Sequence, residues 1–417
     1  MTTFSILCFL GCVIIVAVSL KREADPFSPA RVFVFLWLLV FGLVQLKLSR
    51  LQHEWSTQSW VIVLLGPAAF LTGLFGAYVL NLNKPVVSLR ETRERWRKQS
   101  VNEQRLFVAV TVMFVLFVVA FLVIRYIKGV VPPLFSFRPG LSRYEFTMFG
   151  LGMFLHNVVI VVFFTVVYHL LVQGHRTRKW LLKLMSFVSM LLYFLLLQRF
   201  QLILTGFMCF LLIYYATRHL RAATMGLYAG AAVGLFYWVS TLRSGIQFFI
   251  LYLYQTSRMK FPAAYASLTE PYMYFAMNLE NFARAIDKLD HHTYGFYTFD
   301  FVLAIVGLKH WIQGYFGFDD TPYLISGYNT YTSYWIYLRD FGIIGVFLFP
   351  LFLGLLFGSI YHAMRRRPDV KNIAAYGLAL FVILFTFYNN PLAYLWYMYT
   401  VAAFAVILWS TRVRGTA

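Results

Sequence analysis

The chain has 417 residues, of which 60% are hydrophobic and 12% are charged. So small a charged share leaves too little polar surface to cover a water-soluble particle of this size, which excludes a soluble domain. The formal net charge of +20 would suit nucleic acid, but the basic residues are grouped between apolar runs and are expected to set membrane topology, so no nucleic-acid partner is predicted.

Apolar runs long enough to cross a bilayer recur along the chain, and unpaired backbone groups are too costly in hydrocarbon for these runs to be anything but helices. About eleven transmembrane helices of roughly 20 residues each are predicted. They lie near residues 4–20, 32–48, 59–80, 106–124, 148–172, 180–197, 200–216, 223–240, 341–361, 373–388 and 392–410. The predicted fold class is an all-α polytopic membrane protein, with residues 1–417 forming a single integral membrane domain. The first run lacks a basic leader and a cleavage site, which favours a retained span over a signal peptide.

Basic residues predict the orientation of these helices. They are concentrated in three interhelical loops, at 84–98, 176–179 and 365–367. These loops alternate with poorly charged ones, so the positive-inside rule places the N-terminus outside and the C-terminal Arg412 and Arg414 inside. Lys47 and Arg50 in the first external loop give this orientation only weak support.

Two external segments separate the predicted spans. Residues 125–147 contain three prolines and are predicted to be a loop. Residues 241–340, between predicted helices 8 and 9, form the only large stretch outside the membrane; this stretch is rich in aromatic residues and holds half of the acidic ones. The mid-helix positions hold almost no ionisable side chains apart from His156. A transporter would keep such groups near the bilayer midplane, so this distribution favours chemistry at the outer surface.

An amphipathic helix is predicted inside the large external segment. Its apolar side chains recur at helical spacing at Phe275, Leu279, Phe282, Ile286 and Leu289. This pattern predicts a helix lying on or near the membrane face. On the same helix Glu280 and Arg284 are four residues apart, the spacing of an ordinary helical ion pair.

Two arginines are candidates for binding an anionic head group. Arg199 lies in a very short turn between two spans, and Arg243 follows the eighth predicted span, both on the external side. A guanidinium suits phosphate because its forked donors match the oxygens and it stays charged. An equally weighted interpretation is that each side chain extends to the interface or pairs with lipid phosphate.

Several residues of the external segment could act as a general base, which must lie within hydrogen-bond reach of an attacking hydroxyl. The candidates are Asp300, His310, Asp319 and Asp320. Asp319-Asp320 precedes Thr321-Pro322, a context more typical of a solvated turn. Aromatic residues around these acids would stack on sugar rings, although a membrane-interface belt accounts for any one of them equally well.

No cofactor or metal is predicted. His291 and His292 adjoin Asp290, but adjacent histidines in a loop are usually solvated. The three cysteines all lie within predicted spans, so neither a disulfide framework nor a zinc site is expected. The chain has no phosphate-binding glycine loop, HExxH, GxSxG or DxD-type motif.

One stretch resembles a known family. The chain reads Tyr328-Asn329-Thr330-Tyr331-Thr332, then Tyr337-Leu338-Arg339-Asp340-Phe341-Gly342, then Gly345, Pro350 and Gly354. This pattern resembles the late region of the Wzy-type bacterial oligosaccharide repeat-unit polymerases, where an N-x-Y-T stretch leads into a D-F-G turn and a glycine-rich helix. Arg199 and Arg243 look like two external arginine positions of that family, and Glu280-Asn281 is similar to a stretch in some members. The family commonly has small residues before the first arginine, whereas Leu196, Leu197 and Gln198 stand here.

The resemblance implies an inverting glycosyltransferase of GT-C-like architecture in the bacterial inner membrane. It would transfer a growing glycan from undecaprenyl diphosphate to the non-reducing end of another lipid-linked repeat unit. Its partners would be that lipid-linked oligosaccharide, membrane lipid and a chain-length regulator protein. Arg199, Arg243 and Arg339 would bind the diphosphate, while Asn329, Tyr331, Glu280 and Asn281 would position sugars. The base would be Asp300, His310 or Asp319.

Three other functions remain open from the sequence. A ligase that moves a finished glycan from the same carrier onto another acceptor has the same physical requirements. A flippase for the lipid-linked sugar would line a cavity within the spans with basic residues, and few are present. An inactive scaffold subunit would tolerate charge reversal at Arg199.

Overall fold

The computed structural model describes residues 2–20, 24–138, 142, 144–217, 230, 234, 238, 246–319, 321–325 and 327–411. The secondary structure of these residues is helical, apart from one isolated β-bridge between Ser49 and Met259. Arg243, Asp320, Arg412 and Arg414, which the sequence analysis singled out, lie outside the described residues. The predicted span 223–240 lies almost wholly outside them as well.

Up to residue 216 the described residues form nine α-helices, which follow the predicted apolar runs apart from α4. They are α1 (Thr3–Ser19), α2 (Pro29–Val44), α3 (Thr57–Leu80), α4 (Leu89–Arg97), α5 (Glu103–Lys128), α6 (Leu151–Phe154), α7 (Asn157–Leu171), α8 (Arg176–Phe194) and α9 (Phe200–Ala216). The predicted loop at 125–147 contains one short 3₁₀ helix, Pro133–Phe135. The basic loop at 84–98 contains α4, which had not been expected.

The remaining helices begin at residue 246. They are α10 (Ile246–Thr256), α11 (Thr269–Lys288), α12 (Asp300–Ile305), α13 (Lys309–Phe316), α14 (Tyr334–Arg366), α15 (Val370–Phe385) and α16 (Leu395–Ser410). Two further 3₁₀ helices span Ala263–Leu268 and Pro391–Ala393. The segment predicted as one external loop is therefore largely helical in its described part.

Four apolar helical stretches in the described residues are long enough to cross a membrane: α3, α5, Leu151–Leu171 (α6 and α7 together) and α14. Five shorter apolar helices accompany them, namely α1, α2, α9, α15 and α16. This all-helical architecture is compatible with the predicted polytopic membrane protein.

The chain divides into two compact units. The first unit comprises Met1–Val86, Gln247–Arg366 and Ala379–Leu395, and the second comprises Val87–Ile246, Arg367–Leu378 and Trp396–Ala417. In the first unit α14 packs along α3 through glycines on both helices. A Cβ at Gly73 would overlap the carbonyl oxygen of Leu351, and one at Gly354 would overlap that of Phe70. Glycine permits this close backbone approach, as small residues do at helix contacts in membranes.

A kink divides α14 at Gly342, where φ is 63° and ψ is −153°. Because side chains disfavour positive φ, this position favours glycine. The kink explains why the predicted span began at residue 341 although the helix begins at Tyr334: residues 334–341 form a short helix, and the long apolar part follows the kink.

In the second unit α7 packs against α5, α8 and α9. Glu103, at the start of α5, accepts hydrogen bonds from the Tyr168 hydroxyl at 2.7 Å and from Arg178 Nη1 at 3.0 Å. The Tyr193 hydroxyl holds the turn before α9: its oxygen lies 2.7 Å from Gln198 Oε1 and 2.6 Å from Gln201 Oε1, and its single proton is donated to one of these two oxygens at a time. Arg199 follows in this turn and is half-buried.

Candidate functional site

Helix α11 organises the polar residues of the first unit. Its apolar side chains Leu279, Phe282 and Ile286 are buried. Helix α11 packs against α2 and α3, and these two apolar helices offer protein surface that buries such side chains. Its expected position on or near the membrane face stays a prediction.

Glu280 is almost fully buried at 1% exposure, and its partners come from the segment between α2 and α3. The backbone N–H of His53 donates to Oε1 at 2.6 Å, and Trp55 Nε1 donates to Oε2 at 3.1 Å. Lys47 Nζ lies 3.8 Å from Oε2. A buried carboxylate needs such donors, and the segment before α3 supplies them. These partners of Glu280 do not include Arg284, with which the sequence analysis had predicted a helical ion pair.

A cleft of about 350 Å³ opens beside α11. It is lined by His53, Glu54, Trp55, Glu280, Ala283, Arg284, Asp287 and Lys288. Arg284 is half-buried, and its Nε atom has no hydrogen-bond partner in the described part of the chain. Asp287 accepts hydrogen bonds from the Ser56 and Ser59 hydroxyls at 2.7 and 3.0 Å, so the start of α3 is attached to the same helix. The cleft thus combines three basic side chains with three carboxylates and an indole ring.

Asn281, next to Glu280, holds the loop that follows α13. Its Oδ1 accepts from the backbone N–H of Ile325 at 3.1 Å, and its Nδ2 donates to the carbonyl of Thr330 at 2.9 Å. Tyr331 at the end of this loop stacks on Trp335, with ring centroids 4.7 Å apart. Asn329, by contrast, is exposed. Asn281 therefore determines where Tyr331 lies.

Tyr331 is fixed by a hydrogen bond as well as by ring stacking. Its hydroxyl donates to the carbonyl of Pro322. Burial raises the pKa of Tyr331, and the positive charge of Arg339 acts in the opposite direction.

Arg339 is enclosed by aromatic rings and is 2% exposed. Its guanidinium carbon lies 4.0 Å from the centroid of the Tyr297 ring and 5.7 Å from that of Trp335. One Nη donates to the backbone carbonyl of Asp319. A guanidinium in this position holds the Asp319 backbone. The diphosphate contact expected for Arg339 from the sequence stays a prediction.

Asp340 fixes the turn after residue 292. It accepts from the Thr293 hydroxyl and from the backbone N–H groups of Tyr297 and Thr298, the latter at 2.5 Å. Thr293 N–H in turn donates to the carbonyl of Arg339 at 3.1 Å. Arg339 and Asp340, neighbours in the motif, thus both stabilise the surrounding turns.

The three predicted bases lie in different surroundings. Asp300 Oδ1 is 2.8 Å from Lys309 Nζ, and the Asp300 side chain is 15% exposed. His310 is exposed on α13. Asp319 is also exposed, and its Oδ1 accepts from the Thr321 N–H at 3.1 Å. The structure brings Asp319 together with Arg339 and Tyr297.

A second acidic group lies near this loop. Asp290 accepts from the Tyr323 hydroxyl and contacts His291 Nδ1, each at 2.6 Å. The hydrogen bond from Tyr323, followed by that from His291, lowers the pKa of Asp290. Across the described residues no group of three His, Cys, Asp or Glu side chains comes close enough to hold a metal ion.

Sequence reasoning missed the cleft because part of its lining comes from distant residues. His53, Glu54 and Trp55 lie between α2 and α3, more than 200 positions before α11. One signal was available: Glu280, Arg284, Asp287 and Lys288 recur at helical spacing as a charged stripe opposite the apolar one.

Comparison with known proteins adds no relative. No family model matches the chain, and neither the curated proteins nor the solved structures gave a match. Fold and site together describe an all-helical protein with long apolar helices. Its polar cleft lies between α11 and the segment that joins α2 to α3.

Proposed function

We propose that the chain is a polysaccharide polymerase of the Wzy type, an inverting glycosyltransferase that uses undecaprenyl-diphosphate-linked oligosaccharides. In this proposal it has about eleven spans and GT-C-like architecture. It lies in the bacterial inner membrane with its N-terminus outside and its C-terminus in the cytoplasm. The observation that carries the proposal is the cleft beside α11, where Arg284 shares a polar surface with carboxylates and Trp55. Such a surface suits a charged, hydroxyl-rich substrate.

The reaction requires charge stabilisation at the leaving group. The acceptor hydroxyl oxygen attacks the anomeric carbon of the growing glycan, and the bond from that carbon to the diphosphate oxygen breaks. Negative charge then develops on the diphosphate, which fixed cations stabilise best. We assign this role to Arg284, supported by Lys288 at the same cleft, and retain Arg199 and Arg243 as proposed contributors.

The acceptor hydroxyl also loses a proton, and a carboxylate or an imidazole must receive it. We favour Asp319 as this base. Its side chain is exposed, and its backbone is fixed by Arg339 and by the Tyr297 hydroxyl, which donates to the Asp319 carbonyl at 2.7 Å. Asp300 is instead engaged by Lys309. Tyr331, Asn281 and Glu280 support the proposal as the residues that shape the loop and the cleft.

The test uses purified protein in detergent with the host's lipid-diphosphate-linked repeat units, without nucleotide sugar or added metal. We expect a ladder of product lengths on a gel. Arg284→Ala should lower the rate about 10²-fold or more, as removal of one preorganised donor does. Arg90→Ala is the matched control, because the Arg90 side chain is 80% exposed in a helical ion pair on α4.

Other outcomes would replace the proposal. Transfer of a single glycan to a different acceptor, with no ladder, would identify a ligase. An absent ladder together with movement of labelled substrate across vesicles would identify a flippase. Equal activity of the Arg284 and Arg90 variants would remove the cleft from the mechanism even if a ladder forms.

A further inference from the structure

Helices α12 and α13 form a hairpin, residues 300–316, whose outer surface is apolar; we call it the aromatic hairpin. Trp311 and Tyr315 are 67% and 74% exposed, and their rings stack with centroids 5.9 Å apart. The other large exposed apolar side chains of this hairpin are Val302, Ile305, Val306, Leu308 and Phe316. So many exposed large side chains in so short a segment mark an interaction surface.

Charge on the aromatic hairpin is largely neutralised within it. Its one carboxylate, Asp300, and its one ammonium group, Lys309, lie 2.8 Å apart and form an ion pair. Beneath the hairpin an apolar groove of about 440 Å³ is lined by residues that include Phe296, Leu303 and Ile312. The hairpin therefore has apolar surroundings on its inner side and apolar side chains on its outer side.

The turn that leads into the aromatic hairpin lies beside the start of the long apolar part of α14. A Cβ placed on Gly342, at the kink, would lie 3.3 Å from His292 Cε1, and one on Gly295 would lie 3.2 Å from Phe341 Cζ. Immediately after the kink Ile343 and Ile344 are 52% and 69% exposed. Exposed isoleucines on a helix of this length and hydropathy are typical of a lipid-facing side. The chain therefore enters the hairpin from a turn that lies next to the start of that side.

We propose that the aromatic hairpin lies in the lipid head-group region of the bilayer face that carries residues 247–333. Its apolar side chains reach the boundary with the acyl chains, and Trp311 and Tyr315 occupy the interfacial depth. The stacked Trp and Tyr favour contact with lipid head groups, because each side chain joins a large apolar ring to a polar group that remains hydrated at an interface. The chain also connects the hairpin to a helix long enough to span the bilayer. This connection keeps the hairpin close to the bilayer and so raises the effective concentration of lipid around it.

This inference does not depend on the proposed enzymatic activity. It requires only that α14 crosses the bilayer after its kink. Its consequence is a fixed height for the loop from 317 to 331, which follows the hairpin directly. The cleft and Tyr331 would then lie at a defined distance from the membrane surface.

The test places an environment-sensitive fluorophore on the hairpin of the full chain. Cys8, Cys12 and Cys209 are first replaced by alanine, and Trp311→Cys and Tyr315→Cys are then labelled separately. The labelled proteins are reconstituted in vesicles of phosphatidylethanolamine and phosphatidylglycerol, with nitroxide lipids or aqueous iodide as quenchers. Asp290→Cys is the matched control, since the Asp290 side chain is 70% exposed in the same segment.

We expect the labels at 311 and 315 to be quenched by nitroxide lipids about threefold more than the label at 290, as for a side chain roughly 5–10 Å into the interface. The control should be quenched by iodide instead. Iodide quenching at 311 and 315 equal to that at 290 would overturn the proposal. Protection of both labels from both quenchers would overturn it as well, because it would mean that protein covers the hairpin. Using two positions means that a folding failure of one variant leaves the other to decide.

Discussion

Helix α11 and the aromatic hairpin belong to the same segment of the chain, yet α11 buries polar side chains and the hairpin exposes large apolar ones. Helix α11 buries Asn278, Glu280 and Asn281, whereas the hairpin exposes Trp311 and Tyr315. Among the buried polar side chains of α11, these three have hydrogen-bond partners within the protein. Burial of polar groups is tolerable only with such partners. The hairpin's apolar side chains have no comparable cover in the described residues, and we infer that lipid supplies it.

The comparison predicts that α11 variants are destabilised in detergent while hairpin variants are not. The largest effect is expected for Glu280→Ala. Removing this carboxylate leaves the Trp55 Nε1–H and the His53 N–H without their acceptor and removes the negative charge that faces Lys47. Breaking a buried charge pair from one side costs about 3–5 kcal/mol. The measurement is the free energy of unfolding in detergent, by denaturant or thermal titration.

Glu94→Ala is the control for this change. The Glu94 side chain is 52% exposed on α4, where it forms an i,i+4 pair with Arg90. Such a pair is expected to contribute about 0.5 kcal/mol or less. If the two glutamate variants lost equal stability, the buried network around Glu280 would not be holding the segment before α3 to α11.

A smaller effect is expected for Asn281→Ala. The substitution removes two hydrogen bonds that hold the loop before Tyr331 and leaves a buried backbone N–H at Ile325 without its acceptor. The expected loss is about 1–3 kcal/mol, with faster proteolysis between residues 322 and 331. Limited proteolysis combined with an unfolding titration measures both quantities.

Asn329 offers a matched asparagine on the same loop. Its side chain is exposed, so Asn329→Ala should change the free energy of unfolding by about 0.5 kcal/mol or less. An equal loss in both asparagine variants would show that loop composition, and not the contact with α11, determines the position of Tyr331.

The same two regions show what the sequence could predict. Apolar runs gave good bounds for α1 to α3 because hydrophobic periodicity is a local property of a long helix. Helix α11 was predicted from the same signal. The aromatic hairpin was not, because helices of six and eight residues are too short for a periodic pattern to stand out. The sequence analysis therefore placed α11 as a helix inside the large external segment and left the hairpin residues as part of the surrounding loop.

The candidate site was harder to predict than the helices. The sequence suggested a pair between Glu280 and Arg284 from their spacing alone. In the structure the His53 N–H that binds Glu280 is 227 positions away, and this distant donor leaves Arg284 facing the cleft. Local spacing shows which residues can meet, whereas burial decides which partners they take. Arg339 gives a second example. Its guanidinium lies over the ring of Tyr297, which comes from a separate turn of the chain, and local spacing does not predict this contact.

The smallest effect is expected for Asp300→Asn on the aromatic hairpin. Its ion pair with Lys309 is partly exposed, at 15% for Asp300 and 27% for Lys309, so solvent screens it and the expected loss in detergent is about 1 kcal/mol or less. The change should have a second consequence in vesicles. Without the carboxylate, Lys309 keeps an uncompensated charge on an otherwise apolar surface, and its long side chain must extend toward the head groups. A fluorophore at position 311 should therefore become more accessible to iodide, although the detergent-solubilised protein is almost unchanged. A variant that lost several kcal/mol in detergent would instead mean that this pair supports the protein interior as Glu280 does, and the contrast between the two regions would fail.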